Sequence, residues 1–203
     1  MKITQVKATT HNIPVDVPLL NTKTYRPITF AAVETDEGIS GYGLTSAPQR
    51  SGIKEFINRE AAPFLKGKNP LETERVWHEL QRTFNARSQG GAWSGAVSAI
   101  DIALWDIKGK KYREPVWRLL GGAQNPVACY ITFGLREFNI EQLIEMAKRF
   151  VNEGQDKLNM VVGINQAQSH LEDARRVKAV REAIGESVDL MVDGNCSFPF
   201  NRA

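Results

Sequence analysis

Apolar and polar positions along the chain change their period twice. Ile3–His11 and Thr29–Thr35 are rich in β-branched residues, and Thr35-Asp36-Glu37-Gly38 is turn chemistry leading into Ile39–Gly43. This pattern predicts a meander of three antiparallel strands. A loop at Val15–Pro27 is expected between the first two, and a second at Thr45–Ser51 after the third. The period then lengthens to that of a helix. Ile53–Phe64 and Leu71–Phe84 are amphipathic, the second introduced by Asn69-Pro70. In Gly95–Lys110 the residues Ala96, Val97, Ile100, Ala103, Leu104 and Ile107 fall on one face. Glu114-Pro115 breaks the run, and Val116–Leu120 ends at Gly121-Gly122.

After about residue 125 the rhythm changes again. Val127–Phe133, Lys157–Val162 and Asp189–Val192 read as strands, with helices at Ile140–Val151 and Leu171–Ile184 between them. Strands alternating with helices at this spacing predict parallel βαβ units. A barrel of eight such units takes roughly 250 residues; this chain supplies three strands of that pattern.

Composition narrows the function classes. Lys and Arg total 26 against 23 Asp and Glu, a formal +3 over 203 residues, which is too little to argue for nucleic acid. No apolar run approaches the ~20 residues of a membrane helix, and Met1–Gln5 lacks the apolar core of a secretory signal. Cys129 and Cys196 have no paired spacing and read as small apolar fillers. A reduced, cytoplasmic protein with no membrane or nucleic-acid partner is the expectation.

The segment Ser98-Ala99-Ile100-Asp101-Ile102-Ala103-Leu104-Trp105-Asp106-Ile107-Lys108-Gly109-Lys110, followed by Pro115 and Leu119-Leu120-Gly121-Gly122, resembles the signature helix of the mandelate racemase and muconate lactonizing branch of the enolase superfamily. Thr35–Gly38 with Gly41-Tyr42-Gly43 resembles that family's cap hairpin, and Val192-Asp193-Gly194-Asn195 the end of its third barrel strand. The resemblance implies an α+β capping domain over residues 1–123, followed by an incomplete α/β (TIM-type) barrel over 124–203. It also implies a Mg²⁺ cofactor and removal of the proton α to a carboxylate, as in sugar-acid dehydratases and racemases. Such a proton is very weakly acidic, so charge developing on the carboxylate oxygens must be stabilised in place.

Asp193 closes the strand Leu190-Met191-Val192, and the resemblance makes it the first carboxylate ligand of Mg²⁺, with Asn195 in the surrounding shell. From the residues alone, an aspartate capping its own turn is the other reading. On the second barrel strand the family carries lysines four and two residues before a closing glycine. Counted back from Gly163, those positions hold Asn159 and Val161. An amide cannot take up a proton at neutral pH. Lys157 has the same strand parity and is the alternative base, or an ordinary lysine reaching solvent. In the cap, the resemblance places Tyr25, Arg26 and Arg50 in the two loops that contact substrate, where the arginines suit an acidic group; a solvated arginine is the other reading of both. His11, His78 and His170 carry no assignment. Trp105 and Asp106 read as packing area and a paired charge.

With one Mg²⁺ ligand in hand, the expectation is weak metal binding and a chain inactive by itself, a truncated member of its family. A three-strand parallel sheet also leaves two unpaired edges. Three readings stand: an enzyme acting on a small carboxylate or sugar acid when completed, a non-catalytic fragment, and a module forming homo-oligomers through its cap.

Overall fold

Small residues alternating with polar ones build the first sheet: β1 (Ile3–Asp16), β2 (Lys23–Thr35) and β3 (Ser40–Thr45), antiparallel in the order β1-β2-β3. The computed structural model describes residues 1–20, 23–84, 90–123, 126–163 and 169–200. Two compact units, Met1–Asn125 and Pro126–Ala203, divide the chain.

In the first unit, Val6, Ala8, Ala31 and Val33 face the helices and are buried. The meander agrees with expectation, but the loop expected at 15–27 is largely strand. The ladder runs on to Asp16↔Lys23, so Tyr25 and Arg26 are paired strand residues. β3 covers β2 from Thr29 to Glu34 alone. Below that point β1 and β2 form a two-stranded ribbon whose outer edges tolerate the missing N–H groups of Pro14 and Pro27.

Helices α1 (Arg50–Phe56), α2 (Ala62–Leu65) and α3 (Thr73–Phe84) follow, with a π-helical stretch, Ile57–Ala61, joining the first two. Pro63 cannot donate to the turn before it, which accounts for the widened winding there. Asn58 on that stretch accepts the Ala8 N–H (2.7 Å) and donates to the Ala8 carbonyl (3.1 Å), satisfying the outer edge of β1.

The long helix α4 (Ala92–Tyr112) buries Ala96, Ala99, Ile100, Ala103, Leu104 and Ile107, as its periodicity predicts. It lies directly on β3. A methyl group at Gly41 would penetrate the Ala103 carbonyl oxygen, and one at Gly43 the Ala99 carbonyl oxygen. Asp106 at the same contact accepts the Tyr42 N–H (2.9 Å) and pairs with Lys110 (2.6 Å). It thereby closes the free edge of the sheet. Trp105 is half-buried, with Lys108 over its ring at 4.6 Å. The short helix α5 (Val116–Leu119) completes this unit.

The second unit is the expected parallel sheet, β4 (Ile131–Phe133), β5 (Lys157–Val161) and β6 (Asp189–Asp193), in the order β4-β5-β6. β4 is shorter than its apolar run, because β5 offers it partners at Leu158, Asn159 and Met160 alone and Val127 is left exposed. Helix α6 (Ile140–Asn152) opens with a capping box, in which the Gln142 N–H bonds Asn139 Oδ1 (2.8 Å) and the Asn139 N–H bonds Gln142 Oε1 (3.0 Å). With α7 (His170–Ile184) it covers the face bearing Leu158 and Met160, both fully buried. No helix among the described residues is long and apolar enough to cross a membrane.

Gly43→Ala is expected to cost the first unit about 2–3 kcal/mol through overpacking against α4. Gly38→Ala, with open space around its φ of +74°, should cost about 1 kcal/mol from backbone strain alone. Urea midpoints of the two variants check the difference.

Candidate functional site

Parallel pairing fixes which side chains share the face of the second sheet opposite α6 and α7. The register sets Lys157 beside Asp189, Asn159 beside Met191 and Val161 beside Asp193, with Thr132 of β4 beside Asn159. These residues alternate with the buried Leu158 and Met160 and so project to the opposite face. Asn159 is itself 7% exposed, and its Nδ2 donates to Thr132 Oγ1 at 3.4 Å. An amide held this way orients a neighbour and accepts or donates a hydrogen bond. It removes no proton.

Lys157 occupies this face at the start of β5. Its Nζ lies 2.8 Å from Asp156 Oδ2, and that hydrogen bond and charge, with Asp189 further off, hold the ammonium above the usual lysine range. It is thus kept protonated, the wrong state for a base. Four residues of strand, about 13 Å, separate it from the Asp193 end. Geometry and charge both set Lys157 apart from Asp193.

Asp193 lies at the C-terminal end of β6 and is exposed. One of its oxygens, Oδ1, accepts the Asn195 N–H at 2.7 Å, so it caps its own turn, while its carbonyl accepts the Val162 N–H (2.8 Å). The turn is tight: Asn195 and Cys196, neither a glycine, have φ of 44° and 57°. Asn195 therefore meets Asp193 through its backbone. Cys129 and Cys196 are both free and exposed, which corrects their reading as apolar fillers: Cys129 precedes the short β4, and Cys196 projects from the turn.

In the cap, strand alternation separates two of the expected substrate contacts. Tyr25 pairs with Pro14 and shares the inward parity of Thr29 and Ala31, whereas Arg26 pairs with Ile13 and points to the other face. Arg50 donates from Nη1 to Asn12 Oδ1 at 2.9 Å, on the same face of the ribbon as Tyr25. A cavity of about 380 Å³ beside it is lined by Thr10, Gln49, Arg50, Ser51 and Gly52. Gln49 adopts a left-handed φ of 63° immediately before α1, a strained conformation of the kind that gathers at ligand-binding loops.

Two buried charges on α7 escaped the sequence reading. Asp173 Oδ2 accepts the Gly163 N–H (3.1 Å), and Arg176 Nη1 donates to the Phe138 carbonyl (2.7 Å). Burial pushes the Arg176 guanidinium down, and the nearby Asp173 charge offsets this in part. Together they anchor the chain where it leaves β5 and where it enters α6. Their one sequence signal is a charged pair at i, i+3 on the apolar side of a helix.

Among the described residues, no three His, Cys, Asp or Glu side chains converge. Mg²⁺ takes six oxygens at about 2.0–2.1 Å. Asp193 brings one carboxylate, half of it already engaged in a turn. These residues do not fit a Mg²⁺ site by themselves.

A cap of antiparallel sheet and helices, followed by parallel βα units with a carboxylate at a strand's C-terminal end, is the layout of a capping domain joined to part of a barrel. The family model for the mandelate racemase / muconate lactonizing enzyme N-terminal domain matches residues 1–121, and the chain belongs to that family. It is 30% identical to the 3,6-anhydro-alpha-L-galactonate cycloisomerase of Streptomyces coelicolor over 98% of this chain and 53% of that enzyme. It is 32% identical to the arabinonate dehydratase of Saccharolobus solfataricus over 84% of this chain and 46% of that enzyme. A crystal structure of a racemase from Streptomyces coelicolor A3(2) with bound magnesium superposes with a TM-score of 0.86 at 28% identity, covering 98% of this chain and 57% of that one. The chain spans about half the length of the curated relatives it matches.

Asp173→Ala is expected to strip the Gly163 N–H of its acceptor and to leave Arg176 less compensated. A loss of about 1–3 kcal/mol follows, visible as faster hydrogen exchange at Gly163 with the Asn58–Ala8 contact of the cap unchanged.

Proposed function

We propose that this chain supplies the cap and the opening barrel strands of a Mg²⁺-dependent enzyme that removes the proton α to the carboxylate of a sugar acid. The 203 residues by themselves are catalytically inert. The observation that carries the reading is the register Val161↔Asp193. It sets Asp193 on the face opposite α6 and α7, at the C-terminal end of the sheet, where barrels of this kind hold their chemistry. The relatives support the class: a cycloisomerase, a dehydratase and a racemase all match.

Within that role, Asp193 offers one ligand to the metal and Asn195 shapes its turn. Asn159, steadied by Thr132, contacts a substrate hydroxyl; it cannot serve as base, and Lys157 is tied to Asp156 at the far end of the strand. The remaining carboxylates and the acid–base pair must come from barrel strands these residues do not contain. Tyr25 and Arg50, on one face of the ribbon, meet the substrate; Arg26, on the other, does not.

Purified chain is expected to give no turnover of arabinonate or galactarate above a metal-free blank, and about 10 mM Mg²⁺ should leave its melting temperature unmoved. Adding the later barrel strands of a relative, as a second polypeptide, should restore Mg²⁺-dependent formation of a 2-oxo acid. Turnover by the 203 residues alone would overturn the inert reading.

A second reading, the cap as an oligomerisation module, is favoured by the outer face of the first sheet. There Tyr42 (48% exposed) and Leu44 (50%) stand beside Phe30, whose ring stacks on Tyr42 at 5.5 Å. Light scattering without Mg²⁺ should then show a defined oligomer that Tyr42→Glu with Leu44→Glu reduces to monomer.

A further inference from the structure

Along β2, the outer face of the first sheet carries an order of charges that the function above does not use. Strand alternation puts Arg26, Ile28, Phe30, Ala32 and Glu34 on that face, turned away from the buried Thr29, Ala31 and Val33. β2 is the middle strand, and Phe30 has Thr9 of β1 on one side and Leu44 of β3 on the other. Arg26 and Glu34 stand at equal distances from Phe30, about 13 Å each way. The row therefore reads cation, apolar centre, anion. Both charged residues are exposed, and among the described residues neither side chain has an ion-pair partner.

The apolar centre is held in shape. The His11 ring meets Phe30 edge-on at 6.4 Å, the Phe30 and Tyr42 rings stack at 5.5 Å, and Lys110 Nζ sits 4.6 Å over Tyr42. Lys110 is itself fixed by the Ser40 carbonyl and the Asp106 carboxylate. From Arg26 to Glu34 the face runs about 27 Å, and three strands with their side chains are about 15 Å wide, which gives about 400 Å². A contiguous exposed apolar face of that size marks an interaction surface. Two such faces together reach the low end of specific protein interfaces, the range of reversible, micromolar association.

We infer that this face is self-complementary: a second copy of the chain packs on it, sheet against sheet, about a two-fold axis that crosses the strands at Phe30. The charges select that axis. Turned about a line perpendicular to the strands, the second copy lays its β2 antiparallel over the first. Arg26 of each copy then faces Glu34 of the other, Ile28 faces the small Ala32, and the two Phe30 rings meet at the centre. An axis along the strands would set Arg26 against Arg26 and Glu34 against Glu34, a repulsion at both ends. Packed sheets cross at about 30°, which displaces the ends by several ångströms, a gap that two long side chains span. On β1 the same axis brings Lys7 opposite His11 and adds no pairing, so β2 carries the selection. This inference rests on the reading of the cap as an oligomerisation module, and it adds the partner, the axis and the residues that set it.

The test compares the 203-residue chain with its Arg26→Glu and Glu34→Arg variants by sedimentation velocity at low salt. The unaltered chain is expected to dimerise with a dissociation constant of about 10–100 μM. Each single variant should raise that constant by about tenfold or more, because it sets like charges at both ends of the interface. An equimolar mixture of the two variants should regain dimer, since opposite charges meet at both ends only in the heterodimer. That recovery also shows that neither variant has failed to fold. Single variants that dimerise like the unaltered chain, or a mixture that stays monomeric, would overturn the assignment. The two readings fail separately. Dimers lost on Tyr42→Glu with Leu44→Glu but untouched by either charge reversal sink the axis and leave the module standing. A chain that stays monomeric throughout, or dimers indifferent to all four positions, sinks the module reading and the axis with it.

Discussion

Helix α4 and strand β3 touch backbone to backbone, and the cap depends on that contact. Gly41 and Gly43 face the carbonyl oxygens of Ala103 and Ala99 so closely that a single added methyl group has no room. Two consequences follow from this one approach. Helix and sheet bury Ala96, Ala99, Ile100 and Ala103 almost completely, which supplies the apolar burial that stabilises a small unit. The Asp106 carboxylate also comes within reach of the Tyr42 N–H, so an edge strand that would otherwise offer a free donor is closed by the helix that packs on it.

The second unit uses the absence of a side chain differently. Its glycines stand where the strands end, and they admit the Phe198 ring and Ser197 rather than a helix. Asp193 and Arg136 lie there, the first held by its own turn and the second by a serine 61 residues further along the chain. Lys157, the group with the more familiar catalytic chemistry, is at the opposite end, where its neighbour Asp156 holds it protonated. An isolated side chain of suitable type therefore says less than its position along the strand. Four residues are enough to move a base out of range.

Much of the architecture was legible in the chain. Alternation with β-branched residues marked the meander, and the 3.6-residue spacing in Gly95–Lys110 marked α4 down to its buried residues, because one face of each element must meet a core. The parallel units were legible for the same reason. The ribbon from Val15 to Pro27 was not. Two prolines and polar neighbours resemble a loop locally, and strand pairing across the hairpin overrode that preference. The short β4 is the reverse case: an apolar run that lacks partners over most of its length.

The site divides along the same line. Sequence alone determined that Asp193 ends a strand, that Asn159 and Val161 share one face near the end of β5, and that one carboxylate cannot enclose a hard divalent ion. Each of these follows from residue type and from a period of two along a strand. Only the tertiary structure decided that Tyr25 and Arg26 face opposite ways, that Asp173 and Arg176 are buried at the ends of loops, and that Arg136 meets Ser197. Those pairings join residues 10 to 61 positions apart through the packing of separate strands and helices, and no local pattern encodes a partner at that distance.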